Sequence, residues 1–139
     1  MKELLFVDTG YLVALVNKKD INHSKAVEIN KELKEKNHEY MLVFSDYIFD
    51  EFISLLQARN IDNSVIIDAG EKLLFSKFNR RIRIIDEYFI SAWDMVKKIS
   101  DKSWSFTDCT SFTMMKEMNI KRYLGFDEHF TQAGFIPFT

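Results

Sequence analysis

Close to its first residue the chain reads Leu4-Leu5-Phe6-Val7-Asp8-Thr9, in which four consecutive apolar residues are followed by a carboxylate and a hydroxyl. An unbroken apolar run with a polar end is typical of a strand that is covered on both faces, as in the middle of a parallel sheet. In open α/β sheets, ligands bind beyond the carboxyl ends of the strands. The segment therefore predicts a buried central strand that places Asp8 at the ligand-binding edge of the sheet.

Outward from this strand, apolar strand patterns alternate with apolar residues at helical spacing. Further strands are predicted at residues 40–44, 82–85, 123–126 and 135–136. Helices are predicted after Gly10 and at residues 24–35, 47–59, 61–75, 87–99, 108–118 and 128–132. Because strands that alternate with helices form right-handed βαβ units, we expect an α/β protein with a mostly parallel sheet and helices on both of its sides. The strand at residues 82–85 follows a basic segment and is expected at an edge of the sheet.

Composition indicates one domain over residues 1–139, with 47% hydrophobic residues to supply its core. The single cysteine, Cys109, excludes an internal disulfide and is typical of a reducing compartment. No apolar run approaches the ~20 residues that cross a bilayer, and Asp8 interrupts the only run that a signal peptide could use. We therefore expect a cytoplasmic protein that does not enter membranes. Since its net charge is −2, any nucleic acid must be bound through a local basic patch.

Four acids are expected to meet at the carboxyl edge of this sheet. Asp8 and Asp127 directly follow apolar strands, whereas Glu51 and Asp108 lie in helices that leave the same edge. Glu51 is preferred to its neighbour Asp50 because helical spacing places it at the rim of the apolar face, while Asp50 points to solvent.

Such a cluster of acids requires compensation. Like charges ~4 Å apart repel by about 4 kcal/mol at an effective dielectric constant of 20, so either some acids stay protonated or a cation neutralises them. Oxygen ligands without a histidine or cysteine cluster favour the hard cations Mg²⁺ and Mn²⁺. One or two such ions can activate a water and stabilise the leaving oxygen in phosphodiester hydrolysis, with Glu51 or Asp108 orienting or deprotonating that water.

Each acid also has a purely structural interpretation. Asp108 completes a capping-box pattern with Ser105, and Asp127 could cap the helix that follows it. Glu51 could be an ordinary surface residue. Asp8 is the hardest to explain in this way, because an apolar central strand has no structural need for a terminal carboxylate.

Two other functions remain open at this point. A phosphatase of the haloacid-dehalogenase type would use Asp8 as its nucleophile, but it would carry a second aspartate where this chain has Gly10. A non-catalytic module could use the acids to recruit a basic protein partner. Such a module would need neither a divalent ion nor turnover.

Four motifs in series connect the chain to a known family. They are Phe6-Val7-Asp8-Thr9, Ser45 to Glu51, Ser105 to Cys109, and Gly125 to Phe130 with Gly134-Phe135 after it. In their order and spacing the chain resembles the PIN-domain nucleases, in particular the VapC-like toxins of prokaryotic toxin–antitoxin pairs. This resemblance implies a three-layer α/β/α sandwich with four to five strands and a Mg²⁺- or Mn²⁺-dependent endoribonuclease. It also implies an RNA substrate, an antitoxin partner and a homodimer, with a stand-alone RNA-processing nuclease as the alternative.

The resemblance also implies roles for individual residues. Asp8, Glu51, Asp108 and Asp127 match the family's metal-binding and catalytic acids. The hydroxyls of Thr9 and Thr107 match positions that support those acids, whereas Gly125 stands where the family often has threonine. Basic candidates for contacting RNA, with ordinary surface solubilisation as their alternative, are Arg80, Arg81, Arg83, Lys121 and Arg122. His129 is expected to support the site, either indirectly or through a phosphate of the RNA.

Overall fold

Five strands form one parallel sheet in the computed structural model, which describes all residues from Met1 to Thr139. The strands are β1 (Glu3–Val7), β2 (Tyr40–Ser45), β3 (Asn79–Ile82), β4 (Arg122–Leu124) and β5 (Ile136–Pro137). The helices are α1 (Thr9–Val16), α2 (His23–Glu35), α3 (Asp46–Ala58), α4 (Asn63–Phe75), α5 (Asp86–Lys98), α6 (Phe106–Glu117) and α7 (His129–Gln132). This confirms the predicted three-layer α/β/α architecture. No helix has the length and apolar character that crossing a membrane requires.

The strand order is β3-β2-β1-β4-β5, so β1 is the central strand, as its apolar run predicts. All four pairings are parallel. The chain leaves β1 toward β2 and β3 and later returns to the other side of β1 to form β4 and β5. The crevice between β1 and β4 is therefore the topological switch point of the sheet, where open α/β folds bind their ligands.

The central strand is buried on both faces. Leu5, Phe6 and Val7 have no exposed surface and belong to a core cluster of 26 buried residues. Aromatic rings fill the part of this core that lies below β4. Phe130 from α7 packs against Phe6, with ring centroids 5.7 Å apart, and against Phe112 of α6 at 4.9 Å. These contacts fix a helix of only four residues to the sheet.

The predicted bounds of the strand at residues 82–85 are wrong, although its predicted place at an edge of the sheet is confirmed. The strand instead covers Asn79–Ile82 and pairs with Leu42–Ser45 of β2. The backbone then leaves the ladder, because the N–H of Ile84 donates to Asp46 Oδ1 at 3.0 Å. In this segment Ile84 is buried whereas Ile85 is 42% exposed, so its apolar residues contribute to the core only in part.

Helix α5 exposes residues that its apolar spacing predicts to be inside. Phe89 and Trp93 are 41% and 50% exposed, and only Ala92 of this helix is buried. Phe89 still contacts Phe106 at the start of α6, with ring centroids 5.0 Å apart. The apolar face of α5 therefore covers a neighbour only in part.

We expect Phe130→Ala to lower the free energy of unfolding by about 3–5 kcal/mol, because it opens a cavity among the aromatic rings of the core. Equilibrium unfolding in urea measures this change. Phe75→Ala is the matched control, since Phe75 is 75% exposed and its truncation should change stability by less than about 0.5 kcal/mol. Equal losses in the two variants would contradict the anchoring role of Phe130.

Candidate metal centre at the switch point of the sheet

Asp8 lies in the crevice between β1 and β4. Its backbone N–H donates to the carbonyl oxygen of Leu124 at 2.9 Å, which extends the β1–β4 ladder by one residue. Its side chain stands at the N-terminus of α1 and is only 6% exposed. The backbone therefore holds this carboxyl group rigidly in a place that water scarcely reaches.

Burial raises the pKa of Asp8 to about 8, mainly because the surrounding protein desolvates the carboxylate. The backbone amide of Thr9 acts in the opposite direction. The negative charges of Asp108, Glu51 and Asp127 raise the pKa further. The structure thus brings Glu51, Asp108 and Asp127 close enough to Asp8 for their charges to raise its pKa.

Glu51 reaches this region from α3. The helix begins directly after β2, where the Ser45 hydroxyl accepts the N–H of Ile48 at 3.1 Å and caps it. Glu51 is half-buried in the second turn, whereas Asp50 is exposed. The geometry agrees with the choice of Glu51 over Asp50 from helical spacing.

Asp108 both caps a helix and faces Asp8. Its Oδ2 accepts the backbone N–H of Ser105 at 3.1 Å, and its own N–H donates to Ser105 Oγ at 3.0 Å. This capping box fixes the start of α6. The structural and functional interpretations of Asp108 are therefore compatible, because the cap uses only one oxygen of the carboxylate.

Asp127 lies in the loop between β4 and α7 and is the most exposed of the four acids, at 44% of its side chain. Its Oδ1 accepts the N–H of His129 at 2.9 Å. The His129 ring lies between two acids, with Nδ1 2.9 Å from Asp108 Oδ2 and 3.3 Å from Asp127 Oδ2. Asp127 therefore also supports local structure while it faces the site.

Neither lysine nor arginine forms an ion pair with any of these acids; the only partner of this kind is His129. No three acidic, histidine or cysteine side chains are already arranged to hold a metal ion. A cation beside Asp8 would have the carboxylate oxygens of the four acids as its donors. The oxygen-only donors fit Mg²⁺ or Mn²⁺ by type and charge.

The hydroxyls near the site differ in their surroundings. Thr9 is 3% exposed, and its Oγ1 has no hydrogen-bond partner in the protein. Such a buried, unpaired hydroxyl is costly unless a water or ligand completes it. Thr107 lies one residue before Asp108 and is half-buried, and its carbonyl oxygen accepts the hydroxyl of Thr110 at 2.7 Å.

Gly125 packs directly against Asp8. A Cβ at this position would lie 3.1 Å from Asp8 Cβ and 3.4 Å from Asp8 Oδ2. It would also lie 3.2 Å from Cδ2 of Tyr123. The glycine therefore relieves crowding around the buried carboxyl group, besides removing the hydroxyl that a threonine would bring.

The basic residues do not form one patch at the site. Lys121 and Arg122 lie at the amino end of β4, at the edge of the sheet opposite Asp127. The Arg122 guanidinium is held by Glu3, with two N–O distances of 2.7 Å. Lys121 and Arg122 therefore lie away from the edge that carries the acids, and their contact with RNA stays a prediction.

Arg80 and Arg81 remain exposed on the edge strand β3, opposite Val43 and Phe44 of β2. Two strand spacings separate β3 from β1, which is about 10 Å. The two arginines can therefore flank the site only from a distance.

A large apolar groove lies elsewhere, among α1, α2, α4 and β2, and contains none of the four acids. Tyr11 and Leu12 of α1, Leu33 of α2 and Leu73 of α4 are among its lining residues. The hydroxyl of Tyr11 is buried there without a hydrogen-bond partner. The apolar spacing of Leu12, Leu33 and Leu73 predicts that these residues lie in the core, and sequence patterns carry no signal for the groove.

We expect Asp8→Asn to raise the melting temperature at pH 8 in EDTA by roughly 5 °C, because asparagine cannot ionise in the buried position. The folded protein keeps the Asp8 proton up to about pH 8, whereas the unfolded chain releases it near the ordinary pKa of 3.8. Folding stability therefore falls as the pH rises through this interval, and the gain from Asp8→Asn should be smaller at pH 5. Thermal unfolding followed by circular dichroism measures both values.

Asp50→Asn is the control for this comparison, because Asp50 is an exposed acid beside Glu51 on α3. It should leave the melting temperature unchanged at both pH values. A lower melting temperature for Asp8→Asn at pH 8 would contradict the electrostatic strain assigned to Asp8.

The chain is similar to known proteins over almost its whole length. It is 28% identical over 133 residues to the "23S rRNA-specific endonuclease VapC20" of Mycobacterium tuberculosis, in strains CDC 1551 / Oshkosh and ATCC 25618 / H37Rv. These residues cover 96% of this chain and 96% of the VapC20 chain. The crystal structure of M. tuberculosis VapC20, described as a Sarcin-Ricin loop cleaving toxin, matches with a TM-score of 0.82 and 26% identity, covering 95% of this chain and 96% of that one.

Two more distant structures share the fold. VapBC2 from Rickettsia felis, bound to a DNA fragment from its promoter, matches with a TM-score of 0.65 at 10% identity and covers 96% of both chains. FitAcB from Neisseria gonorrhoeae matches with a TM-score of 0.65 at 14% identity, covering 97% of this chain and 96% of that one. A sequence model of the PIN domain matches residues 5–136. From the strand order, the acids at the switch point and this match, we conclude that the chain belongs to the PIN domain family.

Proposed function

We propose that the protein is a Mg²⁺- or Mn²⁺-dependent endoribonuclease that hydrolyses RNA phosphodiester bonds and acts as the toxin of a VapBC-like pair. The observation that carries this proposal is the buried Asp8, whose pKa three other carboxylates help to raise to about 8. A fold gains no stability from such an arrangement. A site that must bind a divalent cation gains a concentrated negative charge.

In the proposed site, Asp8, Glu51, Asp108 and Asp127 would hold the cation. When bound, the ion would supply the positive charge that offsets the charge developing on the phosphate. The unpaired hydroxyl of Thr9 would form a hydrogen bond with a water or with a phosphate oxygen of the RNA. Glu51, which no other side chain engages, is available to take the proton of the attacking water.

In the proposed reaction, water attacks the phosphodiester and displaces the 3′ oxygen. The oxygen of water forms a bond to phosphorus, and the bond from phosphorus to the 3′ oxygen breaks. One proton of the water passes to Glu51, and the leaving 3′ oxygen takes a proton from solvent. The products therefore carry a 3′ hydroxyl and a 5′ phosphate, whereas attack by the RNA's own 2′ hydroxyl would leave a 2′,3′-cyclic phosphate.

We take ribosomal RNA as the first substrate to test, because the similar VapC20 is described as specific for 23S rRNA. The net charge of −2 argues against binding by bulk attraction. We assign the exposed Arg80 and Arg81 on β3 to backbone phosphates, together with the exposed Arg83, which follows this strand at its carboxyl end.

An antitoxin, that is, a protein that inhibits the nuclease, belongs to the VapBC-like form of this proposal. The similar VapC20 is described as a toxin. The groove among α1, α2 and α4 offers a partner apolar surface away from the catalytic acids. A stand-alone RNA-processing nuclease is the alternative, and the absence of a small neighbouring antitoxin gene would favour it.

We also propose a homodimer, for which α5 offers the apolar surface. Its outward residues Phe89, Ile90 and Trp93 are 41%, 57% and 50% exposed. Adjacent exposed apolar side chains of this size are typical of protein interfaces.

The proposed activity predicts that the purified protein cleaves total RNA with Mn²⁺ and leaves it intact with EDTA. Asp8→Asn and Asp127→Asn should each reduce the rate at least about 100-fold, since each removes a charged ligand of the site. Mapping the RNA ends identifies the cleavage sequence and the terminal phosphate. Asp50→Asn, which alters an exposed acid of the same helix as Glu51, should retain the activity of the unaltered protein.

Cleavage that persists in EDTA, or in Asp8→Asn, would overturn the metal-dependent nuclease. Binding of a basic protein without any RNA turnover would favour the non-catalytic module instead.

The dimer proposal predicts that Trp93→Glu converts a dimer into a monomer, because a charge would be buried in the apolar contact without a partner. Light scattering coupled to size-exclusion chromatography measures the mass. Ile21→Glu is the control, since Ile21 is 96% exposed in the loop before α2. A monomeric unaltered protein would refute the dimer.

A further inference from the structure

His129 joins two of the acids that reach the site from different elements. Its Nδ1 lies 2.9 Å from Asp108 Oδ2 on α6 and 3.3 Å from Asp127 Oδ2 in the loop after β4. Its backbone N–H also donates to Asp127 Oδ1 at 2.9 Å. No other residue forms a hydrogen bond or an ion pair with both carboxylates, so His129 is the polar link between these two acids.

These contacts leave one oxygen of Asp108 for another partner. Asp108 Oδ2 accepts the N–H of Ser105 at 3.1 Å and the Nδ1–H of His129 at 2.9 Å. Two donors occupy the lone pairs of one carboxylate oxygen. Oδ1 lies outside this network and is therefore the oxygen that can turn toward a cation beside Asp8.

The imidazole is itself held from several directions. Nε2 lies 3.3 Å from Ser103 Oγ, so a neutral ring that carries its proton on Nδ1 can accept the serine hydroxyl. The next residue, Phe130, is fully buried in the aromatic core. At the end of α7, Gln132 Oε1 accepts the indole N–H of Trp104 at 3.0 Å. The ring therefore has a fixed position and is not a mobile surface side chain.

We propose that His129 is a positioning residue of the metal centre, which orients Asp108 through its Nδ1–H and fixes the distance between Asp108 and Asp127. The inference rests on the proposed function, since it concerns the same site. Partners of ligating side chains act in this way in many metal sites, and their loss typically weakens metal affinity 10–100-fold. Direct contact of His129 with an RNA phosphate is not required, because the ring already faces two carboxylates and its side chain is only 22% exposed.

Two substitutions separate positioning through Nδ1 from a general structural effect. The amide nitrogen of asparagine replaces Nδ1, whereas that of glutamine lies near the position of Nε2. We expect His129→Ala and His129→Gln to weaken Mn²⁺ binding roughly 10–100-fold. His129→Asn should recover most of that affinity. Isothermal titration of Mn²⁺ into the full-length protein without RNA measures binding independently of cleavage.

Thr131→Val is the control within the same helix. It removes the hydrogen bond of 2.7 Å from Thr131 Oγ1 to the carbonyl oxygen of Glu128 but no contact with an acid. It should therefore leave Mn²⁺ affinity unchanged. Thermal unfolding of every variant shows whether a loss of affinity accompanies a loss of fold.

The possible outcomes are distinct. If the unaltered protein binds no Mn²⁺, the proposed function falls and the role of His129 falls with it. If the unaltered protein binds Mn²⁺ and His129→Ala binds it equally well, only the positioning role is overturned. Recovery by glutamine as complete as that by asparagine would also overturn it, because the contact through Nδ1 would then be irrelevant.

Discussion

The structure depends on one electrostatic constraint. The carboxyl group of Asp8 is withdrawn from water between β1 and β4, where the strand order of the parallel sheet reverses. Asp8 is fixed there by the backbone of β1, and its N–H is paired with Leu124 of β4. Burial and three neighbouring acids make the ionised form of Asp8 unfavourable. Either a proton or a cation must therefore accompany Asp8 in the folded state, and the surrounding groups are best understood as a response to this requirement.

The acids around Asp8 combine a local structural role with the metal-binding role that we propose. Asp108 caps α6, and Asp127 accepts the N–H of His129 at the start of α7. In each case the local hydrogen bond also holds the side chain at the crevice. Capping and metal binding are therefore not competing explanations, because a carboxylate has two oxygens and a cap needs only one. The cap reduces the entropy that the side chain would lose on binding a cation.

The chain also departs from what the family resemblance implies. Gly125, which stands where the family often has threonine, lies so close to Asp8 that a Cβ would press on it. Lys121 and Arg122 lie at the amino end of β4, away from the edge that carries the acids. Arg122 instead pairs with Glu3 and stacks against Tyr40 and Phe138. Membership of the PIN domain family thus defines the fold. The residues of the proposed RNA interface must be identified on this chain's own surface.

Sequence patterns were sufficient for the central strand, the parallel α/β class, the preference for Glu51 over Asp50 and the grouping of the four acids. These features follow from hydrophobic periodicity, which each segment carries by itself. They also follow from the rule that ligands bind at the carboxyl ends of parallel strands, which needs only the fold class. Tertiary structure alone decided the register of β3, the exposure of Phe89 and Trp93 on α5, and the pairing of Arg122 with Glu3. It also decided the place of His129 between Asp108 and Asp127. The physical reason is that each of these depends on partners distant in sequence, which periodicity within one segment cannot reveal.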